Sequence, residues 1–116
     1  MTSMSSQSDV VDFVRAARAD KSPFEIVAGG TRRNVGKPLN NLPQLDVSGL
    51  SGILKYEPEE LILTALPGTP LEEIEALLAA RNQCLAFEPP YLGRGGTLGG
   101  AVSTGLSGPR RPKAGA

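Results

Sequence analysis

The residues best placed to do chemistry form one run, Val27-Ala28-Gly29-Gly30-Thr31-Arg32-Arg33-Asn34-Val35-Gly36-Lys37, in which an apolar segment opens into a glycine-rich basic loop. Glycines permit positive φ and leave no Cβ in the way of an approaching ligand. Successive amides turned inward by such a loop make a concave anion site. Thr31 and Asn34 can add side-chain hydrogen bonds, and Arg32, Arg33 and Lys37 add charge, so the chemistry implied is the holding of a phosphate. A surface turn with solvated charges fits the same residues taken alone.

Two familiar phosphate loops are excluded by spacing. A P-loop needs four residues between its glycine and Gly-Lys-Ser/Thr, whereas five separate Gly30 from Gly36, and Pro38 stands where the hydroxyl should be. The dinucleotide fingerprint G-x-G-x-x-G lacks its third glycine and the helix that should follow.

A second glycine-rich segment runs from Gly93 to Gly108 and contains Thr97-Leu98-Gly99-Gly100-Ala101-Val102-Ser103-Thr104-Gly105. It is too apolar for a flexible linker and too glycine-rich for a stable isolated helix. It reads as backbone packed against something flat or anionic, with Thr97, Ser103 and Thr104 as hydroxyl donors. A close-packed turn and short helix is the plainer alternative.

Composition narrows the remaining chemistry. The chain has 116 residues, 40% of them hydrophobic, enough for one domain with a core. Twelve basic and twelve acidic residues cancel, and the basic loops lack interleaved aromatics, which argues against nucleic acid. There is no histidine, so the usual metal ligand and the usual general base are both missing, and no catalytic or metal-binding residue is assigned. Cys84 is the single cysteine; its neighbours Leu85, Ala86 and Phe87 predict a buried thiol in a reducing cytoplasm. The N-terminus lacks the pattern of a signal peptide, and no apolar run approaches membrane-spanning length.

The elements that must position the two loops follow from pattern. Residues 1–7 read as a disordered lead-in. Ser8 is expected to cap a helix over 9–19 with Val10, Phe13, Val14 and Ala17 on one face, widened by Val11. A strand from Phe24 enters the first loop, and Gln44-Leu45-Asp46-Val47 reads as another. Ile53 to Tyr56 and Leu61 to Ala65 flank Pro58-Glu59-Glu60 as a β-hairpin. Its glutamates sit at a solvated tip, unsuited to acid–base work. Thr69-Pro70-Leu71-Glu72 predicts a capping box that starts a helix with a stripe of Leu71, Ile74, Leu77 and Leu78. Cys84 to Phe87 is expected as a short buried strand before Pro89-Pro90.

Taken together, Ala-Gly-Gly-Thr after a strand, the Leu-Asp-Val-Ser strand, the hairpin, the Pro-Gly-Thr helix start and Gly-Gly-Thr-Leu-Gly-Gly-Ala-Val-Ser-Thr-Gly resemble the FAD-binding domain of the vanillyl-alcohol oxidase and p-cresol methylhydroxylase (PCMH) flavoproteins. Within that family the pattern, with Leu106-Ser107-Gly108-Pro109-Arg110-Arg111, is similar to the FAD-binding subunits of bacterial glycolate oxidases. The resemblance implies an α+β fold, the N-terminal subdomain of a PCMH-type FAD-binding domain, with helices packed on a small mixed β-sheet. It implies FAD bound non-covalently, its pyrophosphate wrapped by Ala28, Gly29, Gly30, Thr31, Arg32 and Arg33 from the first loop and by Thr97, Gly99, Gly100, Ser103, Thr104, Gly105 and Gly108 from the second.

The resemblance also implies a further subdomain and a substrate-binding cap, so residues 8–108 are expected to be the N-terminal part of a longer domain and 109–116 a truncated flexible tail. Such a piece alone is expected to be inactive, to hold little FAD and to self-associate through uncovered apolar surface. The activity implied is oxidation of a small 2-hydroxy acid, glycolate to glyoxylate, beside a second FAD-containing subunit and an iron–sulfur subunit. The implied location is the cytoplasm, peripherally at the inner face of the membrane in one version. Alternatives are a relative acting on lactate, a structural or electron-relay flavin subunit, and a small nucleotide-binding module unrelated to flavin.

Overall fold

The computed structural model describes residues 2–115. The elements are β1 (Thr2–Ser3), α1 (Gln7–Ala19), β2 (Glu25–Val27), β3 (Gln44–Asp46), β4 (Ile53–Glu57), a 3₁₀ turn (Pro58–Glu60), β5 (Ile62–Ala65), α2 (Leu71–Ala79), α3 (Leu98–Thr104) and α4 (Arg111–Ala114). The α+β class expected from the pattern holds. The expected single mixed sheet is instead two separate sheets: a parallel one in the order β1-β3-β2 and an antiparallel β4–β5 hairpin. The chain between them pairs with the lead-in to α2 rather than with a strand, through Leu66 N–H to Gly52 O at 2.9 Å and Gly68 N–H to Leu50 O at 2.7 Å.

Leu45 lies at the centre of the parallel sheet, opposite both Thr2 and Ile26, and is fully buried. Parallel neighbours need a crossover, and α1 supplies it by carrying the chain from β1 past β3 to β2. Edge-on packing of Phe13 against Phe24, with ring centroids 5.1 Å apart, fixes the helix to the strand's lead-in. Ser6, not Ser8, caps the helix: its hydroxyl accepts from Asp9 N–H, and the Asp9 carboxylate accepts from Ser6 N–H in return. Residues 2–7, expected as a disordered lead-in, thus hold a strand, the buried Met4 and a helix cap, while Met1 lies outside the described residues. Val10, Phe13 and Ala17 are half-buried, but Val11 and Val14 of the expected face stay exposed.

Thr69 departs from its expected part. It is wholly buried, its hydroxyl accepts from Gly52 N–H at 2.9 Å and donates to Leu66 O at 2.7 Å, and Pro70 takes the cap position of α2 with no side-chain bond. The hairpin base leaves the Gly52 N–H without a backbone partner among the described residues, and burying it unmet would cost more than losing a cap. Leu71, Ile74 and Leu78 are buried as the stripe requires, with Leu77 half-buried. The expected strand over 84–87 does not form: α2 ends in a turn through Asn82 at φ 54, and Cys84 is exposed rather than buried. The tail from 109 carries the single turn of α4, and Ala116 lies outside the described residues.

Candidate functional site

Strand β2 ends at Val27, and the first glycine loop leaves from its carboxyl end, the side of a parallel sheet where ligands collect. A cleft of about 600 Å³ opens there. Ala28, Gly29, Gly30, Thr31, Arg32 and Arg33 line one wall, and Thr97, Gly99, Gly100, Ser103 and Thr104 line the other. Gly105 and Gly108, expected beside them, are not on it. Gly105 terminates α3 at φ 62, and Gly108 packs so closely on Glu88 that a Cβ would lie 2.6 Å from the Glu88 Cβ.

The first wall is rich in uncommitted donors. Among the described residues, no hydrogen bond engages the amides of Gly29, Gly30, Thr31, Arg32, Arg33 or Asn34; the turn is closed only by Val35 N–H to Arg32 O at 3.0 Å. Its cations differ. Arg33 forks onto Glu25 through Nε at 2.9 Å and Nη2 at 3.0 Å, and Gln44 Nε2 adds a third bond to that carboxylate at 3.2 Å. Arg32 has no carboxylate partner among the described residues: Nη2 donates to Pro90 O at 2.8 Å, Nη1 to the Thr31 hydroxyl at 3.2 Å, and Nε is buried without a partner.

The second wall is already satisfied. Leu98 N–H donates to Thr69 O at 2.9 Å, Gly99 N–H to Pro67 O at 2.8 Å, and Ala101 N–H to Thr97 O at 3.0 Å. Gly100 N–H donates to the Thr97 hydroxyl, and the Thr104 hydroxyl donates back to Gly100 O at 3.0 Å. So the segment read as an anion-facing backbone is a short helix whose first turn faces its own protein. Of its hydroxyls, Ser103 makes no hydrogen bond to the described residues. The glycines here serve contact: a Cβ on Gly99 would meet Pro67 at 2.9 Å, and one on Gly29 would overlap the carbonyl of Gly95, where the two walls touch.

The comparisons with known proteins bear on what this cleft holds. The family described as FAD binding domain matches residues 2–116. The chain belongs to this family. Glycolate oxidase subunit GlcE of Escherichia coli (strain K12) is 42% identical over 106 residues, which is 91% of this chain and 30% of that protein. The FAD binding domain described here therefore spans under a third of the length of that relative. Two solved structures of alkyldihydroxyacetonephosphate synthase, in different crystal forms, share the fold with TM-scores of 0.72 and 0.70. Their identities are 21% and 20%; each alignment covers 97% of this chain but only 21% and 22% of theirs.

Family membership makes FAD the cofactor of this fold, and the first wall fits its anionic part. Uncommitted amides beside an arginine without a carboxylate suit a diphosphate, which would satisfy donors that folding leaves open. Among the described residues no group of three His, Cys, Asp or Glu could hold a metal ion. Glu25 and Pro67 are the site residues that sequence reasoning passed over. An acid in a short apolar strand eight residues before Arg33 was the available signal for Glu25. Pro67 acts through its carbonyl, to which its residue type gives no clue.

Proposed function

We propose that this chain is the diphosphate-gripping part of the FAD site in a 2-hydroxy-acid oxidoreductase subunit, with glycolate as substrate and glyoxylate as product. The observation that carries the reading is the row of uncommitted amides from Gly29 to Asn34, set beside Arg32 in a family of FAD binding domains. The 42% identity to the E. coli glycolate oxidase subunit supports glycolate as the substrate. FAD, when bound, supplies the acceptor for the hydride equivalent leaving the hydroxyl-bearing carbon. The chain's own work is to bind and orient: the first loop holds the diphosphate, and α3 forms a rigid opposite wall. The chain holds no histidine, and none of its other residues is assigned a general acid–base role.

The same reading places the subunit beside a second FAD-containing subunit and an iron–sulfur subunit that take the electrons onward, in the cytoplasm or against the inner membrane face. No helix of the described residues is long and apolar enough to cross a membrane. The test is to purify the full-length gene product apart from its partner subunits, follow flavin absorbance after adding glycolate or lactate anaerobically, and then release the flavin by denaturation. Releasable FAD bleached by glycolate is the expected result. Bleaching by lactate alone moves the substrate, FAD that neither acid bleaches makes this a relay or structural subunit, and a colourless protein overturns the reading.

A further inference from the structure

Arg32 does two jobs with one guanidinium. Its Nη2 reaches a carbonyl 58 residues away in sequence, Pro90 O at 2.8 Å, while Nη1 holds the Thr31 hydroxyl of its own loop. Room for this comes from glycines of the second segment: a Cβ on Gly96 would stand 3.2 Å from Nη1, and one on Gly100 3.6 Å from the Arg32 Cδ. Neither acceptor carries charge, so the guanidinium keeps its full positive charge at the cleft, unlike that of Arg33, which Glu25 neutralises. Nε is buried and unpartnered, a cost of the kind proteins avoid unless the rest of the side chain is held for another reason.

We propose that Arg32 is a positioning residue, a latch that ties the Pro90–Gly96 strap to the first loop and so sets the spacing of the two walls, with its unneutralised charge left beside the open amides. The ligand part of this rests on the FAD reading above; the latch does not. Lysine cannot replace it, because a single ammonium on a flexible stem lacks the fixed fork that spans Thr31 and Pro90.

Arg32→Lys and Arg32→Met separate the latch from the charge. In the full chain without added flavin, hydrogen exchange should quicken about tenfold at Leu71, whose N–H donates to Gly96 O of the strap at 2.9 Å, in both variants, with the α2 amides of 74–78 unchanged. In the flavin-loaded protein, FAD should dissociate about tenfold to a hundredfold more readily in both, lysine doing no better than methionine. Rescue by lysine would reduce Arg32 to a charge and overturn the proposal, as would unchanged exchange at Leu71. A wild type without flavin whose variants still show the local exchange change would leave the latch standing and remove the FAD reading. Should both variants lose protection at 74–78 as well, Gly96→Ala, which presses a methyl toward Nη1, must quicken exchange at Leu71 alone; if it does not, the latch is wrong.

Discussion

The two glycine-rich segments look alike in sequence and do opposite things. In the first, from Gly29 to Asn34, the backbone amides make no hydrogen bond among the described residues; in the second, from Thr97 to Thr104, they are closed onto Pro67, Thr69 and Thr97. The difference lies in what stands behind each. Among the described residues the first loop is closed by one backbone bond of its own, Val35 N–H to Arg32 O. The second is docked by its first turn on the lead-in to α2, where Pro70 also pairs with Thr97. Glycine packs closely on backbone in both walls, Gly29 on Gly95 and Gly99 on Pro67, so the walls differ in their amides rather than in their glycines. On the proposed reading the first is the gripping wall and the second is preassembled.

The contact between the walls offers the sharpest way to break that contrast. A Cβ on Gly29 would overlap the Gly95 carbonyl, backbone against backbone, so neither side can rotate away. Gly29→Ala is expected to lose about 3 kcal/mol or more of stability, the upper end of overpacking, read by urea denaturation. A fully stable Gly29→Ala would mean that the walls do not touch. Gly105→Ala makes the internal reference, since its Cβ would meet open space and only the φ of 62 opposes it.

How far such distinctions were legible can be argued residue by residue. Elements marked by local pattern came through: the hairpin around Pro58-Glu59-Glu60, the α2 stripe of Leu71, Ile74 and Leu78, and the helix of the first twenty residues. Choices settled by distant partners did not. Ser6 and Ser8 are equally good caps on paper, and the strand that places Thr2–Ser3 against β3 decides for Ser6. Thr69 has every local mark of a cap, yet the N–H of Gly52, seventeen residues earlier, claims its hydroxyl. Cys84 to Phe87 has strand composition, but the chain turns there, with Glu88 N–H closing onto Leu85 O. At the site, residue types located both walls, whereas which amides stay open depends on carbonyls such as Pro67 O.

A smaller effect probes the charge of the gripping wall. Glu25 is 8% exposed and takes both branches of the Arg33 fork, so it cancels one of the cations at the cleft. Glu25→Gln should cost only about 1 kcal/mol, because Arg33 is half exposed and water can take over its solvation. Yet it should tighten FAD binding about threefold at low salt, an advantage that fades as salt screens the site. Measured beside it, Ser103→Ala on the other wall should change affinity by less than about twofold, since a single neutral hydroxyl contributes little net. Equal responses from the two walls would erase the proposed asymmetry.

The least change is expected where the strap of the second segment meets α2. The Tyr91 hydroxyl donates to the Glu75 carboxylate, and the Tyr91 pKa is pushed up to about 12 from 10, first by desolvation and then by the hydrogen bond and charge of Glu75. A raised folded-state pKa means that the contact's contribution is complete below the unfolded value near 10 and is lost as pH rises through about 12. Absorbance titration at alkaline pH should therefore show a phenol ionising near 12 that disappears in Tyr91→Phe. The same variant should lose the slope of stability between those two pH values while the Arg32 latch stays in place, because Pro90 is held from the other side of the strap. If Tyr91→Phe instead released the strap as fully as Arg32→Met, the second wall would be anchored by α2, and the first loop would have no part in setting the width of the cleft.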